Sequence, residues 1–344
     1  MNTISDLILK LASRKDTVRV SDITKTTGFS RAYIGRFFKE LQDEGKIALL
    51  GSANTARYVL SSPRQLELMK KKILAVHRLL RNHDVSEDII LKDIYKNTGI
   101  LAGLPENISH IVDYAFLEML NNAIEHSQSK SIDIVMKRND SGIHFAITDK
   151  GIGIFENIMR KRSLGSHMDA IQDLIKGKQT TSPESHSGQG IFFTSKTADL
   201  FIIRNINKKL IFDNSIQDIL VKNGSTIKGT KVFFSIRLNS PKELNAIFNE
   251  YTDDNYDFSK TSISVKLFKK DVDYLSRSQA RRIITGLDKF KTIILDFAGV
   301  DTVGQAFADE IFRVWQSFHP NIKITHKNAC ENVLFMIKRA LHAN

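Results

Sequence analysis

Residues 116–127 read FLEMLNNAIEHS. Glu118 and Asn122 are four apart and share one face of a helix, with His126 one further turn along. A carboxylate, an amide and an imidazole in a row suit a site that holds a hydrated divalent cation and orients a water. Mg2+ takes oxygen ligands from one or two side chains and keeps several waters. Taken alone, Glu and Asn on a helix face are more often simply solvated. The helix itself is well marked. Pro105 stands where a first helical residue would, and Ile108, Ile111, Val112, Ala115 and Met119 repeat along it to near His126.

Downstream, SIDIVMKR (131–138) and GIHFAITD (142–149) alternate apolar and polar residues and read as a two-stranded hairpin facing one core. The hairpin runs into DKGIG. Asp149 stands at the strand tip, and Gly151 and Gly153 let the backbone bend and a flat ring approach with no Cβ in the way. Residues 155–187 lose this regularity and read as a mobile segment with a short helix near 168–176. In SGQGIFFTSK (187–196), Gly188 and Gly190 precede a helix whose free amides could hold phosphate oxygens. Strands follow near 200–205, 209–214 and 230–238, and KGTKV sets Gly229 and Thr230 at the entry to the last of them. Each of these signals is common in isolation. Their order and spacing carry the information.

At roughly 100 to 200 residues per domain, 344 residues make two or three domains the expectation. Fifty Lys and Arg against 38 Asp and Glu leave a net charge of +12. That surplus fits a polyanion such as DNA, RNA, nucleotide or an acidic membrane face, without requiring one. The single cysteine, Cys330, excludes an internal disulfide framework and a Cys-based zinc site, and fits a reducing compartment. No apolar run approaches the roughly 18 to 20 residues that span a bilayer, so a soluble, cytoplasmic protein with no membrane partner is expected.

The N-terminal 60 residues carry three helical patterns and two short strands. Ile4, Leu7, Ile8 and Leu11 form one apolar stripe, Ser21 and Asp22 open a short helix that Gly28 ends, and Ser30 caps a longer one reaching Glu44. KIALLGSANTARYVL then reads as strand, turn, strand. In the stretch 64–81, Leu66, Met69, Ile73, Val76 and Leu80 predict a connector helix with a basic face. After Pro241 the pattern becomes βαβαβα: SISVKLF, SQARRIITGL, TIILDF, a helix over 303–318, NIKIT and a final helix.

Helix ExxxN, hairpin, DxGxG, variable segment, GxG before a helix and GT before a strand together resemble the Bergerat-fold ATP-binding domain of the GHKL superfamily, over residues 105–240. Neither a GxGxxG after a first strand nor a GxxxxGK[ST] is present, which excludes Rossmann and P-loop readings. ExxxNAxxH is most similar to the anti-sigma-factor serine kinases and related regulators. The resemblance implies that Asp149 accepts from the exocyclic amine of adenine, that Asn122 coordinates Mg2+, and that Glu118 is the general base. It also implies that Gly151 and Gly153 admit ATP, that Gly188, Gly190 and the amides after them bind phosphate, and that Thr230 reaches the adenine. Residues 155–187 would be the ATP lid. Within it Lys176 and Lys178 are candidates for the terminal phosphates, from their charge and place.

Residues 1–60 resemble winged helix-turn-helix DNA-binding domains. The resemblance implies that Arg31, Tyr33, Arg36 and Lys39 face the major groove and phosphates, with the wing around Asn54 and Arg57 touching the backbone or minor groove. Ten Lys and Arg against six Asp and Glu give this part +4. Winged helices also serve as dimerisation or protein-binding modules. Residues 241–344 look like a STAS-like domain, the fold of anti-anti-sigma factors. A phosphoacceptor serine would be expected at the start of its second helix, but Gln305 and Ala306 stand there and Thr302 is the only nearby hydroxyl. The unit therefore reads as a docking module for a protein partner.

The expected fold is thus an α/β multidomain chain: winged helix (1–60), helical connector (61–104), Bergerat α/β sandwich (105–240) and a small STAS-like βαβαβα domain (241–344). The expected function is a cytoplasmic, ATP-binding, DNA-binding transcriptional regulator switched by ATP binding or slow hydrolysis. The competing expectation is a Mg2+-dependent serine/threonine kinase acting on a partner. A mechanical ATPase clamp ranks last, because a STAS-like unit occupies the place of a transducer domain. Both GHKL regulators and winged helices often pair, so a homodimer is compatible with either.

Overall fold

The computed structural model describes residues 4–50, 56–62, 68, 70–176, 189–251, 262–267, 274–288 and 290–342. Asn54, Lys178 and Gly188 lie outside them. The first part holds α1 (Ile4–Arg14), α2 (Val20–Thr27), α3 (Arg31–Asp43) and an antiparallel pair, β1 (Ile47–Leu50) with β2 (Arg57–Leu60). Ser30 caps α3 by accepting the Tyr33 amide at 3.2 Å. Ile8, Ala12, Ile23, Ile34, Phe38 and Leu41 bury the apolar faces of the three helices against one another. Three helices followed by a hairpin is the element order expected.

The central part is a five-stranded antiparallel sheet in the order β3-β4-β5-β7-β6. Its strands are β3 (Ala75–Arg81), β4 (Ser131–Arg138), β5 (Gly142–Asp149), β6 (Leu200–Asp213) and β7 (Asp218–Arg237). Helices α4 (Glu87–Asn97) and α5 (Glu106–Asn121) precede the β4–β5 hairpin, and Phe116 of α5 packs edge-on against Phe145 of β5. Along β5 every second residue is buried: Ile143, Phe145, Ile147 and finally Asp149. The Asp149 carboxylate thus ends the inward-facing row.

The connector helix expected over 64–81 is not formed at its C-terminal end: Ala75–Arg81 is strand β3, the edge of the sheet. Val76 and Leu80 are four apart, and residues four apart share a face in a strand as well as in a helix. The periodicity therefore fits both. Pairing with β4 selects the strand, setting Val76 opposite Met136 and Leu80 opposite Ile132. The sheet takes its first strand from the stretch expected to lie outside it. Two further differences follow from long-range pairing. The strands expected at 200–205 and 209–214 are one strand, β6, with a register shift at Asn205 and Ile206, and β7 begins well before 230. Within the segment expected to be irregular, α6 (Ile154–Lys161) forms before α7 (His167–Ile175), burying Phe155 and Ile158.

After α8 (Gly190–Thr197) and the β6–β7 hairpin, α9 (Leu244–Tyr251) leads into the last part. Here β8 (Ser262–Lys266), β9 (Thr292–Asp296) and β10 (Lys323–Lys327) form a parallel sheet in the order β10-β9-β8. It alternates with α10 (Arg277–Ile284), α11 (Gln305–Asp309) and α12 (Glu331–Leu341). This is the expected βαβαβα series, except that the helix predicted over 303–318 continues from α11 as a π-helical turn, Glu310–Trp315.

The central and last parts share a core. Phe192 and Phe193 of α8 are buried in the same cluster as Ile283, Leu295, Phe307 and Ile337. Phe193 packs 4.3 Å, ring to ring, from Phe248, and Phe192 sits edge-on to Tyr251 at 5.1 Å. Phe193→Ala should lower unfolding stability by about 3–5 kcal/mol, while Phe335→Ala, at an exposed position of α12, should change it by no more than about 0.5 kcal/mol. Urea titration of the full chain measures both. Equal effects would mean that the α8 seam is not a packed core.

Candidate functional site

Helix α5 does not run on as a regular helix: Asn122–His126 is a π-helical turn. The amide nitrogen of Asn122 donates to the carbonyl of Glu118 at 2.7 Å. Its carboxamide oxygen is thus the atom left for a hard cation. The wider turn also offsets His126 from the row that begins at Glu118, so the three residues do not align as a regular helix would align them.

Asp149 is buried, and its Oδ1 accepts the backbone amides of Gly151 (2.8 Å) and Thr230 (3.2 Å). Burial pushes its carboxyl above the usual carboxylate range, and the two amides pull it back. The hydroxyl of Thr230 accepts the amide of Ile154 at 3.0 Å, which fixes the start of α6 against β7. Asp149, Gly151 and Thr230 therefore form one hydrogen-bonded unit at the sheet's end. Gly229 lies directly against Asp149, at φ +76°.

The glycines are needed for a different reason from the one expected. At Gly153, with φ +84°, a Cβ would strike the side-chain amide of Asn205, and at Gly151 one would strike the carbonyl of Ser127. Both spaces are filled by the protein's own atoms. Asn205 went unrecognised in the sequence. Its Oδ1 accepts the Phe155 amide at 3.0 Å and its Nδ2 donates to the Gly229 carbonyl at 2.8 Å, tying the DKGIG turn to the Gly-Thr turn. Its signal was there to find: in LFIIRN it follows Phe201 and Ile203 at an inward position, where a polar side chain must find partners.

Gly190, the first residue of α8, abuts Glu118, and any side chain there would collide with the carboxylate. The backbone amides at the start of α8 thus lie beside the proposed base. Glu118, Asn122, Asp149, Gly151, Gly153, Gly190 and Thr230 all come from the elements around this one end of the sheet. An N-terminus of free amides, a buried acceptor and one amide oxygen fit a nucleotide with its Mg2+. Among the described residues no three His, Cys, Asp or Glu side chains gather as a metal centre, so Asn122 and the phosphates would have to supply the ligands.

Lys176 departs from its expected place. Its side chain is 2 % exposed, its ammonium donates to the carbonyl of Arg282 and lies 3.6 Å from Asp173. Burial lowers its pKa, the Asp173 carboxylate opposing. It is thus committed to the C-terminal unit and not to a phosphate site, because α7 packs its inner face on α10. The same face carries Asp169, 3.3 Å from the Arg282 guanidinium, and Gln172, which donates to the buried Tyr274 hydroxyl at 2.8 Å. Sequence reasoning had no means to pair residues about a hundred positions apart.

Arg31, Tyr33, Arg36 and Lys39 are exposed on α3, and Arg57 is exposed on β2. No described residue forms an ion pair with Arg31, Arg36, Lys39 or Arg57. The Tyr33 ring lies tilted to Phe29 (5.1 Å) and edge-on to Phe37 (5.3 Å). No helix of the described residues is long and apolar enough to cross a membrane.

No curated protein matches the chain. Residues 68–212 match the family model described as a histidine kinase-like ATPase domain, which takes in β3 and ends within β6. Residues 279–334 match the model of a STAS-like domain of unknown function (DUF4325), so the chain couples a histidine-kinase-like ATPase domain to a STAS-like one.

Proposed function

We propose that the chain is an ATP-binding regulator in which nucleotide at Glu118, Asn122 and Asp149 sets the position of the 155–187 lid, and the lid sets the C-terminal unit. The observation that carries this reading is the attachment of α7 to α10 through Asp169–Arg282 and Gln172–Tyr274. A lid held in this way cannot move over a nucleotide without changing contacts in the C-terminal unit. Bound ATP supplies a transferable terminal phosphoryl group. For the chain's own groups, Asp149 selects adenine by accepting from its amine, the amides after Gly190 and Gly188 hold phosphate, Asn122 holds the Mg2+ and Glu118 takes a proton from water or a hydroxyl.

Within this reading the N-terminal unit is a winged helix that carries the output to DNA. Support comes from the exposed, unpaired cations of α3 and from Arg57 on the adjoining strand. The second reading, a serine/threonine kinase acting on a partner protein, draws on the histidine-kinase-like ATPase match and on the contact of Gly190 with Glu118. In it the STAS-like domain docks the partner.

Asp149→Asn should weaken ATP binding by about 100-fold, because an amide turned donor-to-donor on adenine leaves a buried group unpaired. Glu118→Ala should bind ATP within a few-fold of wild type yet lose about 10²–10⁴ in turnover. Calorimetric titration and phosphate release measure the two, and an equal loss of binding in both variants contradicts the roles. If labelled phosphate moves to a partner protein and vanishes with Glu118→Ala, the kinase reading replaces the DNA one.

Each cation that meets a DNA phosphate contributes about −0.9 to the slope of log K against log salt. The triple variant Arg31→Ala, Arg36→Ala, Lys39→Ala should therefore flatten that slope by about 3. Fluorescence anisotropy with duplex DNA reads it, and a chain that binds no duplex with or without ATP removes the DNA output.

A further inference from the structure

The cleft between the β6–β7 hairpin, helix α9 and the C-terminal ends of the parallel strands is a place where the chain gathers lysines from both units. It has a volume of about 420 Å3, and its lining sets four lysines, Lys196, Lys242, Lys266 and Lys327, against three carboxylates, Asp218, Glu250 and Asp296, with Asn214 and Gln217 as further polar groups. The first two lysines come from the central part, on α8 and just before α9. The other two come from β8 and β10.

The lysines differ in what already holds them. Lys266 bonds Asp218 at 2.5 Å and Lys327 lies 3.4 Å from Asp296. Lys242 donates to the carbonyls of Lys196 and Ala198 and lies 3.7 Å from Asp199. Lys196 has no ion pair or side-chain hydrogen bond among the described residues. Its ammonium stands 5.3 Å from the Phe192 ring and 5.5 Å from the Tyr251 ring. A lysine in the last turn of a helix ordinarily serves the free carbonyls there. Here Lys242 has taken those carbonyls, and Lys196 is left facing the cleft.

Burial lowers the pKa of Lys196, Glu250 works against that, and Lys327 and Lys242 add to it by repulsion. Lys327 and Lys242 are themselves balanced by Asp296 and Asp199, which leaves Lys196 as the lysine of the cleft with no ion pair among the described residues. A multivalent anion seated in the cleft would give Lys196 the counter-charge that the other three lysines already have.

We propose that this cleft binds a small organic phosphate. Lysine ammonium groups meet phosphate as point charges, Gln217 and the free oxygen of Asn214 read the polar part of the ligand, and Phe212, Ile219 and Ile247 receive its apolar part. The volume falls within the range of small-molecule sites. Because the cations come from both units, the ligand fastens the C-terminal unit to the ATPase domain. Helix α8 joins the two sites: its first residue, Gly190, lies against Glu118, and its last turn carries Lys196.

The probe is pyrophosphate, titrated calorimetrically and by thermal melting into the full chain without Mg2+, with citrate as a non-phosphate anion of similar charge. Lys196→Met keeps an apolar stem between the two rings and removes the charge. Pyrophosphate should raise the melting temperature of the wild type, and its affinity should fall at least about 10-fold in Lys196→Met, while ATP affinity stays unchanged. In the wild-type chain pyrophosphate should also shield Lys196 from acetic anhydride, read by mass spectrometry. Equal pyrophosphate binding by Lys196→Met places the anion elsewhere, as in the ATP site, and overturns the proposal. So does a citrate effect as large as that of pyrophosphate, or unshielded Lys196.

Discussion

Helix Gly190–Thr197 is required at both ends at once. Its first residue lies against the Glu118 carboxylate, and two and three positions later Phe192 and Phe193 are buried in the core of the C-terminal unit. Burying two phenylalanines contributes about 3–6 kcal/mol before any entropy is charged against it. That is comparable to the whole net stability of many domains. The buried phenylalanines therefore hold the helix on the C-terminal unit, while its first residue lies against the Glu118 carboxylate.

A second tie runs in parallel. Helix His167–Ile175 belongs to the segment that resembles a lid, yet its inner face is spent on Tyr274 and Arg282. Flanking segments of the nucleotide site are thus both anchored on the same partner. To invert a population from 1:99 to 99:1, ATP must favour one arrangement by roughly 5.5 kcal/mol. Two anchors of this size, one packed and one polar, put an energy of that order within reach of local contacts.

The sequence made the site legible and its neighbours opaque, for physical reasons that particular residues display. Glu118, Asn122, Asp149 and Thr230 sit in short motifs whose residue types are dictated by chemistry, and those motifs converge at one end of the sheet. Strand Ala75–Arg81 was misread because Val76 and Leu80 satisfy helix and strand spacing equally, and only Met136 and Ile132 across the ladder decide between them. At Gly151 and Gly153 a Cβ would meet Ser127 and Asn205, close contacts that the DKGIG motif by itself does not reveal. Lys176 was assigned from its charge and its place, and neither says which way a side chain turns. Asn205, Gln172, Tyr274 and Arg282 act through partners 24 to 113 positions away, beyond any local pattern.

The central claim is that nucleotide at one end of the sheet is felt in the C-terminal unit through α7 and α8. Hydrogen exchange of the peptide spanning 274–287, measured with and without ATP and Mg2+, tests it most directly. The account predicts that ATP changes exchange there in the wild type, and that Arg282→Ala keeps ATP affinity but loses the change. An ATP-saturated chain whose 274–287 exchange is identical to that of the nucleotide-free chain would contradict it.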